Sequence, residues 1–253
     1  MENKIACQYG KWTSILTAIT AVVALGTAVT LAPARSGPNC PPLVKMGVIK
    51  SCITYPYTDV ADFVPAEYVW MYPALLLSLL FVVLVSSVYH CDPIHKSIST
   101  HIALMLSVIS AAVHSINYFI QLAVVQPSLL KDELESLILL SQYNPHGVFI
   151  ALENLGYFLM GLSFGFLSLR FVRPGKLIRS IKLIYLSGSV VVVAGLIFMA
   201  FWYRSDLEYR YEVLSLTLDW LVLIVTGILL FFYFKRSYRY DEHSNARQAK
   251  VST

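Results

Sequence analysis

Ser99-Thr-His-Ile-Ala-Leu-Met-Leu-Ser-Val-Ile-Ser-Ala-Ala-Val-His114-Ser-Ile-Asn117-Tyr118-Phe-Ile-Gln121-Leu-Ala-Val-Val125 runs without a single Asp, Glu, Lys or Arg. A helix that crosses the hydrocarbon core of a bilayer needs about 20 predominantly apolar residues. The segment therefore reads as a transmembrane helix. It also carries an anomaly: His114, Asn117, Tyr118 and Gln121 fall at i, i+3, i+4 and i+7. That spacing places all four on one helical stripe. Polar side chains are costly in hydrocarbon, so the stripe should face protein rather than lipid.

The pattern repeats along the chain. Its 253 residues are 57% hydrophobic and only 13% charged, with a mean hydropathy of +0.65. Soluble domains carry about 25% charged residues. Apolar runs over 13–32, 68–88, 147–169, 183–203 and 213–234 join 99–125 to predict a single all-α domain, 1–238, built as a six-helix transmembrane bundle. Ala32-Pro-Ala34 resembles a signal-peptidase site. The apolar run before it exceeds the roughly 7–15 residues of a signal-peptide core, so a retained helix is expected.

Between these spans lie three joints with their own signals. Residues 33–67 form a proline-rich loop holding Cys40 and Cys52, which are expected to pair if the loop faces an oxidising compartment. Cys7 and Cys91 fall at the opposite face. Pro127 should end the third span. Residues 128–142 then read as a surface amphipathic helix that keeps Lys131, Asp132, Glu133 and Glu135 wet. Trp70, Tyr72 and Trp220 read as interfacial anchors, and 239–253 as a mobile tail.

Charge sets the expected orientation. Residues 170–182 carry Arg170, Arg173, Lys176, Arg179 and Lys182 and no acid, and most of the 19 Lys and Arg residues lie on the same face. Basic residues in short loops mark the cytoplasmic side, which predicts both termini inside. The expected location is the plasma membrane of a prokaryote, with the lipid bilayer as the principal partner.

Two further spans carry polar residues in register. Glu153 and Tyr157 are i, i+4 on the fourth, with Asn154 beside them, and Ser215 and Asp219 are i, i+4 on the sixth. At 1.5 Å per residue, His114 lies about 17 Å below the outer end of its span, and Glu153 and Asp219 about 9 Å below theirs. All three sets thus share the outer half of the bilayer. Together His114, Asn117, Tyr118, Gln121, Glu153, Asn154, Tyr157, Ser215 and Asp219 make the candidate ligand-binding set. A His-Glu-Asp group with Tyr and Asn donors suits proton relay, cation binding or acid-base chemistry. The competing reading is interhelical hydrogen-bonding, worth about 0.6 kcal/mol per bond on average.

Other signals limit the options. The chain has no phosphate-binding glycine loop, no dinucleotide fingerprint, no HExxH and no CxxC, so no metal, cofactor or nucleic-acid partner is expected. Gly161 and Gly165 form a GxxxG pair that should admit a close helix, with oligomerisation through that face as an option.

Asn117 to Leu130 and Ser141 to Tyr157, together with Tyr55-Pro-Tyr-Thr-Asp59 and Trp70-Met-Tyr-Pro73, resemble a group of hypothetical multi-pass membrane proteins of bacteria and archaea with no known activity. The resemblance implies architecture and no chemistry. By analogy of site type alone, the sterol-isomerase and sigma-2-like membrane fold also places carboxylates and a histidine in a lipid-accessible cavity. Three functions remain open. The leading one is an outward-facing polar cavity that binds or transports a small substrate, with or without proton coupling. The second is an intramembrane enzyme acting on a lipid or isoprenoid, with Glu153, His114 and Asp219 as acid-base groups. The third is a structural or assembly protein whose polar core only packs.

Overall fold

The computed structural model describes residues 2–30, 45, 52–57, 60–61, 64–91, 97–133, 137–172, 174–204 and 206–251, with side chains from Lys4 to Ser237. Among the described residues the chain is all-helical, and six of the helices are long and apolar enough to cross a membrane. They are α1 (Glu2–Thr30), α2 (Met71–Cys91), α3 (Ile98–Ile120), α4 (Val148–Ser168), α5 (Lys176–Tyr203) and α6 (Arg210–Val251). Each packs on its neighbour in sequence and α6 closes back on α1, so the bundle is a ring, with α4 and α6 also touching across its middle. α5 fills the outer notch between those two and is the least buried helix.

The ring has two ends. One gathers the start of α1, the end of α2 and the joint between α4 and α5. The other gathers the start of α2, the end of α3 and the starts of α4 and α6. At the first end Cys7 and Cys91 form a disulfide, a pairing the sequence reading did not anticipate. Cys52, at the other end, is also disulfide-bonded, while Cys40 lies outside the described residues. A disulfide at each end means that the cysteines cannot orient the chain, contrary to the expectation that they segregate by compartment.

Several boundaries move. Residues 2–12, a polar leader ahead of the apolar run 13–32, are helical and form the first turns of α1, where Cys7 is tied to α2 and Gly10 lies against the Phe234 ring of α6. Pro127 does not end the third span. A π-helical turn, Gln121–Val125, precedes it, and the helix runs on through Gln126–Leu130. A proline interrupts the i→i−4 ladder and crowds the carbonyl four residues back. The wider π turn lets the chain continue past it. The amphipathic helix expected over 128–142 is interrupted instead. Lys131 and Glu133 donate their backbone N–H groups to the Ser128 carbonyl, Asp132 adopts φ 57°, and Leu137–Leu140 is helical.

Small residues set the helix spacing. A Cβ on Gly161 would meet Val192, and one on Gly165 would meet the Ser189 hydroxyl at 2.5 Å. Both contacts are with α5 of the same chain. Helix α5 of the same chain therefore packs on the GxxxG face.

Candidate functional site

The polar stripes of α3, α4 and α6 converge in the interior, toward the end where α4 and α6 begin. Tyr118 Oη donates to Glu153 Oε1 at 2.8 Å, and the Tyr118 and Tyr157 hydroxyls lie 2.8 Å apart. A tyrosine has one hydroxyl proton. With Tyr118 donating to the carboxyl, Tyr157 must donate to Tyr118, which gives a directed chain Tyr157, Tyr118, Glu153. The His114 ring is parallel to Tyr118, with centroids 5.7 Å apart, and packs on Tyr157 at 4.3 Å.

α6 supplies two more acids. The Glu153 carboxyl lies beside the Glu212 carboxyl, and its Oε2 has no hydrogen-bond partner among the described residues. Two carboxylates offer no donor to each other, so this contact becomes a hydrogen bond only when one proton sits between them. Asp219 is two turns along the same stripe and fully buried, and among the described residues neither of its carboxyl oxygens has a hydrogen-bond partner. His114 Nε2 is likewise buried without a partner. Such groups are rare in folded proteins and each calls for an explanation.

The residues expected to line an open cavity are packed away from the surface: His114, Asn117, Gln121 and Tyr157 are 1% exposed and Tyr118, Glu153, Ser215 and Asp219 are at 0%. Aromatic rings pack around them. Trp70 stands edge-on to Tyr118 at 5.6 Å and lies 6.3 Å from Trp220, which in turn packs on Tyr157 at 6.3 Å. Trp70 and Trp220 are therefore interior plugs rather than interfacial anchors. Tyr72, 59% exposed, keeps an outward position.

Not every expected ligand residue joins the cluster. Asn117 Nδ2 donates to the Phe149 carbonyl at 3.0 Å, tying α3 to α4, and Gln121 Nε2 donates to the Leu140 carbonyl at 2.6 Å. Ser215 donates to its own helix at Tyr211. Asn154 is half-buried, its Oδ1 without a partner. These four act on backbone or stand apart, and His114, Tyr118, Glu153, Tyr157 and Asp219 form the core. Among the described residues no cluster of His, Cys, Asp and Glu could hold a metal ion.

Two acids escaped the sequence reading. Glu212 falls in a polar joint, yet it lies three residues before Ser215 and seven before Asp219, so the helical period already put it on their stripe. Glu67, buried at 1%, accepts a hydrogen bond from the Tyr143 hydroxyl beside Tyr68. It was assigned to the loop 33–67, and no periodicity marked it.

Glycine lets the histidine in. Ser110 Oγ donates to the Gly156 carbonyl at 2.8 Å, and a Cβ on Gly156 would lie 2.4 Å from His114 Nε2 and 2.6 Å from Cδ2. Gly156→Ala should therefore displace the ring from Tyr157 and cost about 1–3 kcal/mol. Thermal unfolding of the purified protein in detergent measures this, and an unchanged midpoint would show that the ring has room to move.

No protein-family model, no curated protein and no solved structure matches this chain. The architecture defines a multi-pass, six-helix membrane protein, and its site chemistry must be read from its own residues.

Proposed function

We propose that the protein binds or moves a small substrate across the membrane, with protons exchanged at Glu153, Glu212 and Asp219. The observation that carries this reading is Asp219, an acid whose two buried carboxyl oxygens have no hydrogen-bond partner among the described residues. Packing alone gives no reason to keep it, since an unsatisfied buried polar group costs about 1–3 kcal/mol. Ionisable residues inside a membrane bundle commonly mark ion paths and proton relays. The aromatic plug then corresponds to a closed conformer, and Trp70 and Trp220 must part for a substrate to enter. An acid-lined interior favours a cationic or hydrogen-donating substrate. With the basic face placed in the cytoplasm, both termini are inside and the site opens outward, in the plasma membrane of a prokaryote.

Infrared difference spectra of the lipid-reconstituted protein, taken across a pH step, test the reading. The natural protein should show a buried-carboxyl band that gains or loses intensity with pH. Glu153→Gln keeps an acceptor for Tyr118 and should fold, but should lose most of that change. A pH-insensitive spectrum in the natural protein would leave the polar core as packing alone.

A further inference from the structure

Where α4 ends and α5 begins, a cavity of about 540 Å³ is lined by Phe171, Val172, Pro174, Lys176, Arg179 and Lys182. No acid lines it among the described residues. The three cations occupy the first two turns of α5, a helix with no acidic residue in its first turn. That is the wrong place for them within the chain. The N-terminus of a helix already carries about half a positive charge, and cations there are unfavourable. Exposed N–H groups at a helix start and three basic side chains around one recess together form a site for an anion.

Depth and the surface below it say what kind. α5 has 28 residues, about 42 Å at 1.5 Å per residue. A bilayer with its headgroups measures about 40–45 Å, and its hydrocarbon core about 30 Å. The first turn of α5 therefore sits at headgroup depth, and Lys182 reaches back to it from the boundary. Below the cations the same stripe continues at spacings of three, four and seven through Leu183, Leu186, Val190 and Ile197, exposed by 51%, 38%, 56% and 65%. A phosphate at the top and an apolar track beneath it match one amphipathic molecule.

We propose that this cavity holds the phosphate headgroup of an anionic phospholipid, with an acyl chain lying along the Leu183 to Ile197 stripe. Basic recesses between transmembrane helices are suited to such lipids. The lipid would bridge the α4–α5 joint and steady the least buried of the six helices.

Thermal unfolding of the full chain in detergent, with added phosphatidylglycerol, phosphatidylcholine or inorganic phosphate, tests the proposal. Phosphatidylglycerol should raise the midpoint more than phosphatidylcholine does, and inorganic phosphate should not reproduce the shift. Lys176→Gln with Arg179→Gln, both at exposed positions, should fold and remove the difference between the lipids. Leu186→Ser should weaken the lipid effect with the cations intact. Equal shifts from the two lipids, an undiminished preference in the double variant, or a full shift from inorganic phosphate would each overturn it.

Discussion

Asp219→Val is expected to unfold at a higher temperature than the natural protein and to lose part of its pH-dependent carboxyl signal. The carboxyl is fully buried and neither oxygen accepts a hydrogen bond. Removing a buried polar group that has no partner recovers its desolvation cost, about 1–3 kcal/mol. The replacement packs in a shell already rich in apolar rings, because Trp220 follows it in sequence and Tyr157 lies across from Trp220. Asp219→Asn serves as the control: it keeps the shape and the unmet hydrogen bonds, and so should gain less. Tryptophan fluorescence during thermal unfolding gives the midpoint, with two of the four tryptophans, Trp70 and Trp220, packed at the site. A valine variant less stable than the natural protein would mean that the Asp219 carboxyl holds the bundle together. Such opposition between stability and site chemistry is characteristic of functional positions, where natural proteins retain a local defect.

The contrast with Glu153 sharpens this expectation. Glu153 accepts from Tyr118 and faces Glu212, so its loss strands hydroxyls that Asp219 never touches. Glu153→Val should therefore destabilise the fold where Asp219→Val stabilises it. The two acids sit in one interior and differ only in what they have for partners.

The six spans were legible because hydrocarbon imposes length and apolarity on every crossing helix, and neither depends on tertiary detail. The meeting of His114, Tyr118, Glu153, Tyr157 and Asp219 was legible for a related reason, since helical spacing and a shared depth leave few other arrangements. What could not be read was whatever turns on the filling of space. The direction in which Trp70 and Trp220 point decides between an open cavity and a plug, and an aromatic residue near a span end suits an interface equally well. Glu212 and Glu67 lie in joints, where apolar periodicity fades and burial follows from how the ends fold over. The disulfide between Cys7 and Cys91 needed the knowledge that α1 starts in the leader, and composition hid that start.

Gly227→Leu is expected to have the largest structural effect in the chain. α1 is separated from α6 by nearly the whole sequence, and the ring closes where these two helices pack along each other, with Gly227 at a point of close approach. A Cβ on Gly227 would lie 2.7 Å from the Ser14 carbonyl oxygen, 2.9 Å from Ala18 Cβ and 3.3 Å from Ala18 N. Those neighbours are backbone and the first side-chain carbon, and neither can rotate away. Inside a bilayer no hydrophobic force drives helices together, so close packing of small residues and hydrogen bonds carry the association. Alanine alone should cost about 1–3 kcal/mol by overpacking, and leucine should part the helices. Gly26, on the same helix as Ser14, supplies the comparison, since nothing lies within 4 Å of where its Cβ would be. Gly26→Ala should be neutral or should stabilise by about 0.5–1 kcal/mol through helix propensity. Size-exclusion profiles and thermal midpoints of the three variants in detergent decide the matter. Equal behaviour of Gly227→Leu and Gly26→Ala would show that α1 does not close the ring.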